Sequence, residues 1–216
     1  MSKINLNLII ALLLIKSLSF ASVEVDPLIT TCHITPKINS NDARPKNFNS
    51  NNNLRRFSDS MQTAKGTPII IAGRVMDRNC IPVMGAILKI WHRNSFGVYQ
   101  DNNLNSKFND PNFVGSGISY SDNLGRFNFV TILPGATKNS LPNVNISITH
   151  DRLHSLNTKI FFNQNNDYSL DYTLKNMSKI QASKLIAQTN NNMEQSAEKI
   201  YYIDLVLDDV LSNKSY

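Results

Sequence analysis

The sequence predicts an all-β fold, a two-sheet β-sandwich with a short C-terminal helix and an irregular N-terminal arm. Three observations carry that reading. Short apolar or alternating runs recur between residues 69 and 207, each bounded by turn residues. Asparagine, aspartate, glycine and proline punctuate them, as in the turns at 77–82 and 122–125. Only one stretch, 175–188, has helix-compatible spacing, at Met177, Ile180, Lys184 and Ala187. Strands separated by turns with so little helix point to two packed sheets.

Residues 1–21 read as a secretory signal peptide. Lys3 supplies a short positive region, 8–15 is an unbroken apolar run, and Ser19 and Ala21 are small residues at the positions a signal peptidase reads. The run is too short to cross a bilayer as a helix. Lys16 interrupts the pattern, so an uncleaved N-terminal anchor is the alternative. Cys32 lies too far along for a lipoprotein. The expected location is periplasmic or secreted, with no stable membrane span after cleavage.

Residues 22–66 form the arm, polar and asparagine-rich, with 31–36 (TCHITP) as its one segment expected to be ordered. The sandwich domain follows at 67–210, with a tail at 211–216. Residues 69–75 make a buried strand, 77–82 a turn, and 86–91 (AILKIW) the second strand of a hairpin. A long loop, 93–116, is rich in asparagine, aspartate, glycine and serine; loops of this length are commonly functional. Residues 118–121 and 126–131 flank Asp122-Asn123-Leu124-Gly125, a hairpin signal. Residues 144–149 alternate with period two, and 159–162 and 201–207 complete the set. Within the last of these, Asp204 is expected to face outward.

The mature length of about 195 residues suits one domain with a real core. The formal charge of +6 falls to +4 without Lys3 and Lys16, and the basic residues are scattered rather than clustered. That excludes a nucleic-acid-binding face. Cys32 and Cys80 are the only cysteines. In an oxidising compartment a disulfide between them is permitted, with two unpaired thiols as the alternative.

Several residues suggest chemistry and have a plainer reading. His150 and His154 are four apart, a spacing metal ligands use on a helix, but they follow a strand and read as a solvated pair in a turn. Tyr99 and Tyr120 read as strand-end aromatics that could in principle reach a displaced metal. His92 reads as exposed, Trp91 as core. Asp77 and Asp122 are turn formers. No nucleophilic triad, phosphate loop or paired-carboxylate signature is present.

A family resemblance rests on motifs in order. Residues 73–91 (GRVMDRNCIPVMGAILKIW), Asp110-Pro111-Asn112-Phe113, Gly115-Ser116-Gly117, 122–125 (DNLG), 131–135 (TILPG), 158–162 (TKIFF) and 202–207 (YIDLVL) together resemble the intradiol ring-cleavage dioxygenases over about residues 67–208. The resemblance implies a two-sheet sandwich and a non-haem Fe(III) held by two Tyr and two His, on which a catecholate binds. Anionic phenolate oxygens suit a hard ferric ion. Carried over residue by residue, the first Tyr position falls on Asn105 and the second on Thr137. The two His positions fall on Asn143 and Asn145, and an assisting Arg position falls near Ser140. Neutral Asn and Thr supply neither the phenolates nor the imidazoles. The resemblance therefore implies no resident cofactor and no catalytic residue of this chain. It also resembles the non-catalytic subunit of two-subunit members, where a partner keeps the iron. That implies a catalytic partner subunit or a homo-oligomer, with an aromatic ligand as a possible occupant. The alternative is a working dioxygenase with Fe(III) held by other residues or by a partner chain.

Overall fold

The computed structural model describes residues 31–39, 43–100, 107–162, 168–189 and 198–209. The signal segment, the tail and Asn105 lie outside the described residues. Among the described residues, eight strands form two four-stranded sheets. One has the order β4-β1-β8-β7, from β4 (Arg126–Ile132), β1 (Pro68–Met76), β8 (Lys199–Val206) and β7 (Gln188–Thr189). The other has the order β3-β2-β5-β6, from β3 (Ser116–Tyr120), β2 (Ile87–His92), β5 (Asn143–His150) and β6 (Leu153–Phe161). All pairs are antiparallel except β1 with β8. Period-two alternation fills the space between the sheets. Ile69, Ile71 and Phe129 from one side meet Leu88, Ile90, Val144, Ile146 and Ile148 from the other, all fully buried. Each such side chain contributes roughly 1.5–3 kcal/mol.

Two expected hairpins are absent. β1 and β2 lie in different sheets, and so do β3 and β4. The turns themselves form as their residues dictate. Asp77 Oδ1 accepts from the N–H groups of Asn79 and Ile81, both at 2.9 Å. Asp122 Oδ1 accepts from Leu124 N at 2.9 Å and Arg126 N at 2.8 Å. An Asx turn reverses the chain but does not choose the strand's next partner. The apolar faces choose it: each strand must place its apolar side against the shared core, and in both cases crossing to the opposite sheet does so. The true hairpin of the second sheet is β5–β6, with a register shift between Ile148 and His150.

The described part of the arm, 31–39 and 43–66, is better ordered than its composition predicts. Thr35 N–H donates to Val206 O (3.0 Å), and Thr35 Oγ1 accepts from Val206 N (2.8 Å). Ile38 N–H then reaches Asn157 O at 2.8 Å. Residues 35–38 thus bridge the β8 end of one sheet to β6, an edge of the other. Cys32 and Cys80 are joined in a disulfide, with Cα atoms 5.2 Å apart, tying the arm to the β1–β2 turn. The asparagine run closes the opposite flank. Asn49, Asn51 and Asn53 each accept, through Oδ1, the N–H two residues on, at 2.9, 2.9 and 3.0 Å. Those successive Asx turns aim Leu54 into the core, where it is fully buried. Leu54 N–H donates to Val130 O, and Ile118 N–H to Asn51 O. A Cβ on Gly117 would lie 2.5 Å from Asn51 O, so the crossing needs glycine there. Low apolar periodicity hid this order, because the side chains serve the backbone rather than a core face.

The helix is shorter than predicted. A 3-10 turn at Leu174–Asn176 precedes α1 (Lys179–Ser183). Ser178 and Gln181 make a capping box that starts a new helix inside the expected one. Phe161, Leu174, Ala182, Leu185 and Ile186 form a second apolar cluster. Among the described residues, no helix is long and apolar enough to cross a membrane.

Leu54→Ala is expected to lower unfolding free energy by about 2–5 kcal/mol, read as a shift in the urea midpoint. Loss on the scale of a surface substitution would show that the asparagine segment is not part of the folded core.

Candidate functional site

Alternation on β5 divides its side chains between two environments. Val144, Ile146 and Ile148 enter the core, while Asn143, Asn145 and Ser147 occupy the other face. The β2 register sets Trp91 opposite Asn145 and Lys89 opposite Ser147, and β6 adds Lys159 opposite Asn145. This outer face is covered. Arg44 of the arm lies 5.3 Å from the Trp91 ring centroid and donates to Ser147 Oγ at 3.4 Å. Phe48 packs edge-on against Trp91 at 5.8 Å. Asn143 and Asn145 are buried as a result.

The loop after β2 delivers a phenol to this face. Asn94 Oδ1 accepts from Phe96 N at 2.9 Å, and Asn94 Nδ2 donates to Phe108 O at 2.7 Å. Arg93 and Tyr99 pair across the resulting turn, with the guanidinium 5.1 Å from the Tyr99 ring centroid. The turn packs against Gly135, where a Cβ would lie 2.5 Å from Gly97 N. That close approach accounts for the glycine of the TILPG motif. Tyr99 thereby reaches Asn145, whose Nδ2 donates to Tyr99 Oη at 2.9 Å and to Trp91 O at 3.3 Å. Tyr99 is thus part of the site, rather than only a strand-end aromatic. Its spacing from Arg93 across an Asn-Ser-Phe-Gly turn was the available signal.

Asn143 is held in the same way. Its Nδ2 donates to Ser140 Oγ at 2.8 Å and to Leu141 O at 2.7 Å. Both amide oxygens, Asn143 Oδ1 and Asn145 Oδ1, are buried without a hydrogen-bond partner. Such an acceptor costs roughly 1–3 kcal/mol. Thr137 is exposed and pairs with Ser140 in a turn, its N–H on Ser140 O at 2.9 Å. The described donors therefore comprise two neutral amides, one exposed hydroxyl and the Tyr99 phenol. They do not fit a ferric ion needing two phenolates and two imidazoles. Among the described residues, no group of three His, Cys, Asp or Glu could hold a metal.

The other candidates are dispersed. His150 and His154 flank the β5–β6 turn, where His150 Nδ1 accepts from Arg152 N at 3.3 Å. Tyr120 ends β3 and is exposed. Asp204 faces outward and pairs with Arg74 at 2.8 Å. His92, expected to be exposed, is 1% exposed, because the alternation of β2 continues one residue further and points it inward. Nδ1–H donates to Arg93 O at 2.7 Å, and Nε2 accepts from the Thr131 hydroxyl at 2.8 Å. This neutral imidazole bolts β2 of one sheet to β4 of the other. Burial pushes its pKa down from 6.5 to about 4.

A two-sheet sandwich with a buried polar patch where β2 and β5 meet the 93–100 loop defines an intradiol-type dioxygenase scaffold. Solved structures agree. An intradiol ring-cleavage dioxygenase from Tetranychus urticae superposes with a TM-score of 0.63 at 17% identity, covering 83% of this chain and 96% of that one. At that identity the likeness is one of fold. The family model described as Dioxygenase matches residues 45–209, and the chain belongs to that family, the intradiol ring-cleavage dioxygenases. A Rickettsia conorii protein named "Putative dioxygenase" is 34% identical over 156 residues, 68% of this chain and 74% of its own length. The protocatechuate 3,4-dioxygenase beta chain of Burkholderia cepacia is 38% identical over 72 residues, 33% of this chain and 31% of that one.

The buried His92 predicts a pH dependence with a definite sign. Its folded pKa lies below the unfolded value, so between about pH 4 and pH 6.5 the unfolded chain binds the extra proton. Its contribution is fully present above pH 6.5 and falls by up to about 1.4 kcal/mol per pH unit as the pH drops through that window. Urea melts at pH 7 and pH 5 should show this loss. His92→Gln, less stable at pH 7, should lose less between the two. Equal losses in both proteins would refute the assignment.

Proposed function

We propose that this protein is an exported, non-catalytic member of its family, acting as a non-catalytic subunit beside an iron-holding partner or as a binding module. One observation carries the reading. At the two family imidazole positions, Asn143 and Asn145 are buried amides whose N–H groups are already committed to Ser140, Leu141, Trp91 and Tyr99. Their unpaired oxygens are neutral amide donors, which supply neither the imidazoles nor the anionic charge that a ferric ion needs. A companion chain would carry the intact Tyr, Tyr and His-x-His set, and an aromatic ligand would sit between the two. Export rests on the pattern of residues 1–21 and a periplasmic or secreted location follows from it.

A second reading has support of its own. Tyr99 is a phenol 2.9 Å from the Asn145 amide, and the rickettsial relatives carry a dioxygenase name. On this reading the chain cleaves a catechol-type ring with O2, with Fe(III) held by Tyr99 and by residues of this chain or of a partner.

Metal content and the visible spectrum after purification with Fe(III) separate the two. The expected result is a colourless protein with iron far below one per chain. Stoichiometric iron with a broad tyrosinate-to-iron band, bleached in Tyr99→Phe, would establish the second reading in place of the first.

A further inference from the structure

A groove of about 770 Å³ opens on the outer side of the β4-β1-β8 sheet. It lies toward the end of the sandwich where β3 stops and β4 starts, whereas Tyr99, Asn143 and Asn145 gather where β2 stops and β5 starts. Two tyrosines line it with their rings accessible: Tyr120 is 62% exposed and Tyr202 is 45% exposed. The floor between them is low. Ala72 sits opposite Tyr202 in the parallel β1–β8 ladder. The neighbouring Gly73 cannot be replaced, because a Cβ there would lie 1.8 Å from Ile203 O. That missing Cβ faces inward with the buried Phe127 and Ile203, so glycine there lets β1 pack on β8, and on the groove side the small side chain of Ala72 keeps the floor low.

The charges in the groove are paired. Arg74 holds Asp204 through Nε at 3.2 Å and Nη2 at 2.8 Å. Arg126 Nε holds Asp122 Oδ2 at 2.8 Å. Both pairs are partly solvated, and among the described residues no other charged side chain lines the groove. The lining therefore has no net charge. An anion or a metal ion would have to compete with an existing ion pair. An apolar ligand would strip water from four charged groups and from Asn128, with nothing to replace it. The arrangement suits a ligand that is neutral, donates and accepts hydrogen bonds in close alternation, and has a flat C–H face for a tyrosine ring. Each pair offers both kinds of partner: Arg74 engages Asp204 through two N–H groups and Arg126 engages Asp122 through Nε, which leaves further N–H groups and carboxylate lone pairs available.

We propose that this groove binds a short neutral saccharide, its rings stacked on Tyr120 and Tyr202 and its hydroxyls bridged by the Arg74–Asp204 and Arg126–Asp122 pairs. The site is independent of the region around Asn143 and Asn145 and of whether that region holds iron. Volume is consistent, since small-molecule sites commonly span about 300–1,000 Å³.

Isothermal titration of the purified chain with cellotetraose and with chitotetraose tests this, with tetragalacturonate as an anionic oligomer of equal length. At least one neutral oligomer should bind saturably and more tightly than tetragalacturonate. Tyr120→Ala and Tyr202→Ala should each weaken that binding by about tenfold or more. Both side chains are exposed, so unchanged thermal melts will show that the variants fold. Asp204→Asn should weaken binding without abolishing it. The proposal is overturned if neither neutral oligomer binds, if the anionic oligomer binds more tightly, or if the double tyrosine variant binds as the parent does. It is also overturned if Tyr202→Ala abolishes a concentration-dependent dimer in sedimentation, because the face would then belong to a second copy of the chain.

Discussion

The pairing of β2 with β5 sets two surfaces at once. With Trp91 opposite Asn145 and Ile90 opposite Ile146, Leu88, Ile90, Val144 and Ile146 all enter the core, and Lys89, Trp91, Asn145 and Ser147 share the outer face. A shift of one residue would exchange these sets and place amides and a lysine between the sheets. The arm then has one place to lie. Arg44 and Phe48 cap Trp91, while residues 35–38 and 51–54 close the two flanks that the sheets leave open. The disulfide at Cys32 and the buried Leu54 anchor the arm on either side of that cap.

His92, Asn143 and Asn145, buried around this pairing, are neutral, while Lys159, opposite Asn145 on β6, is a buried lysine. Burial keeps the His92 imidazole uncharged, with Nδ1–H donating to the Arg93 carbonyl and Nε2 accepting from the Thr131 hydroxyl. Asn143 and Asn145 satisfy their N–H groups and leave their carbonyl oxygens unpaired. These three side chains tolerate burial because none of them carries a full charge. Their neutrality also accounts for the poor fit to ferric iron, which requires anionic donors in this same place. The framework motifs persist for packing reasons that do not depend on a metal. Gly135 is required by its contact with Gly97, Asp110 caps its own loop and receives Lys65 N at 2.6 Å, and Asp122 and Gly125 make a turn.

The two ends of the sandwich therefore differ in character. At one end a covered hydrogen-bonded network of Asn143, Asn145 and Tyr99 lies under the arm. At the other, paired charges and exposed tyrosines face solvent around a low floor at Ala72. In a chain with dioxygenase ancestry, binding need not stay where the family placed its chemistry, because function resides in sites carried by a fold.

The sequence by itself determined the fold class, the positions of most strands and the chemistry of the turns. Period-two alternation, Asx turns and obligatory glycines act over a few residues and can be read one at a time. It also determined that Asn143, Asn145 and Thr137 are neutral, since residue identity needs no coordinates. Only the tertiary structure decided which strands are partners, so that the turns at 77–82 and 122–125 cross between sheets where hairpins were expected. It alone turned His92 inward onto Thr131 and brought Tyr99 to Asn145. It also showed that the asparagine run seats Leu54 and that Tyr120 and Tyr202 share a groove. The physical reason is common to all of these: they depend on where two sheets face each other, and that is fixed by burial summed over the whole chain.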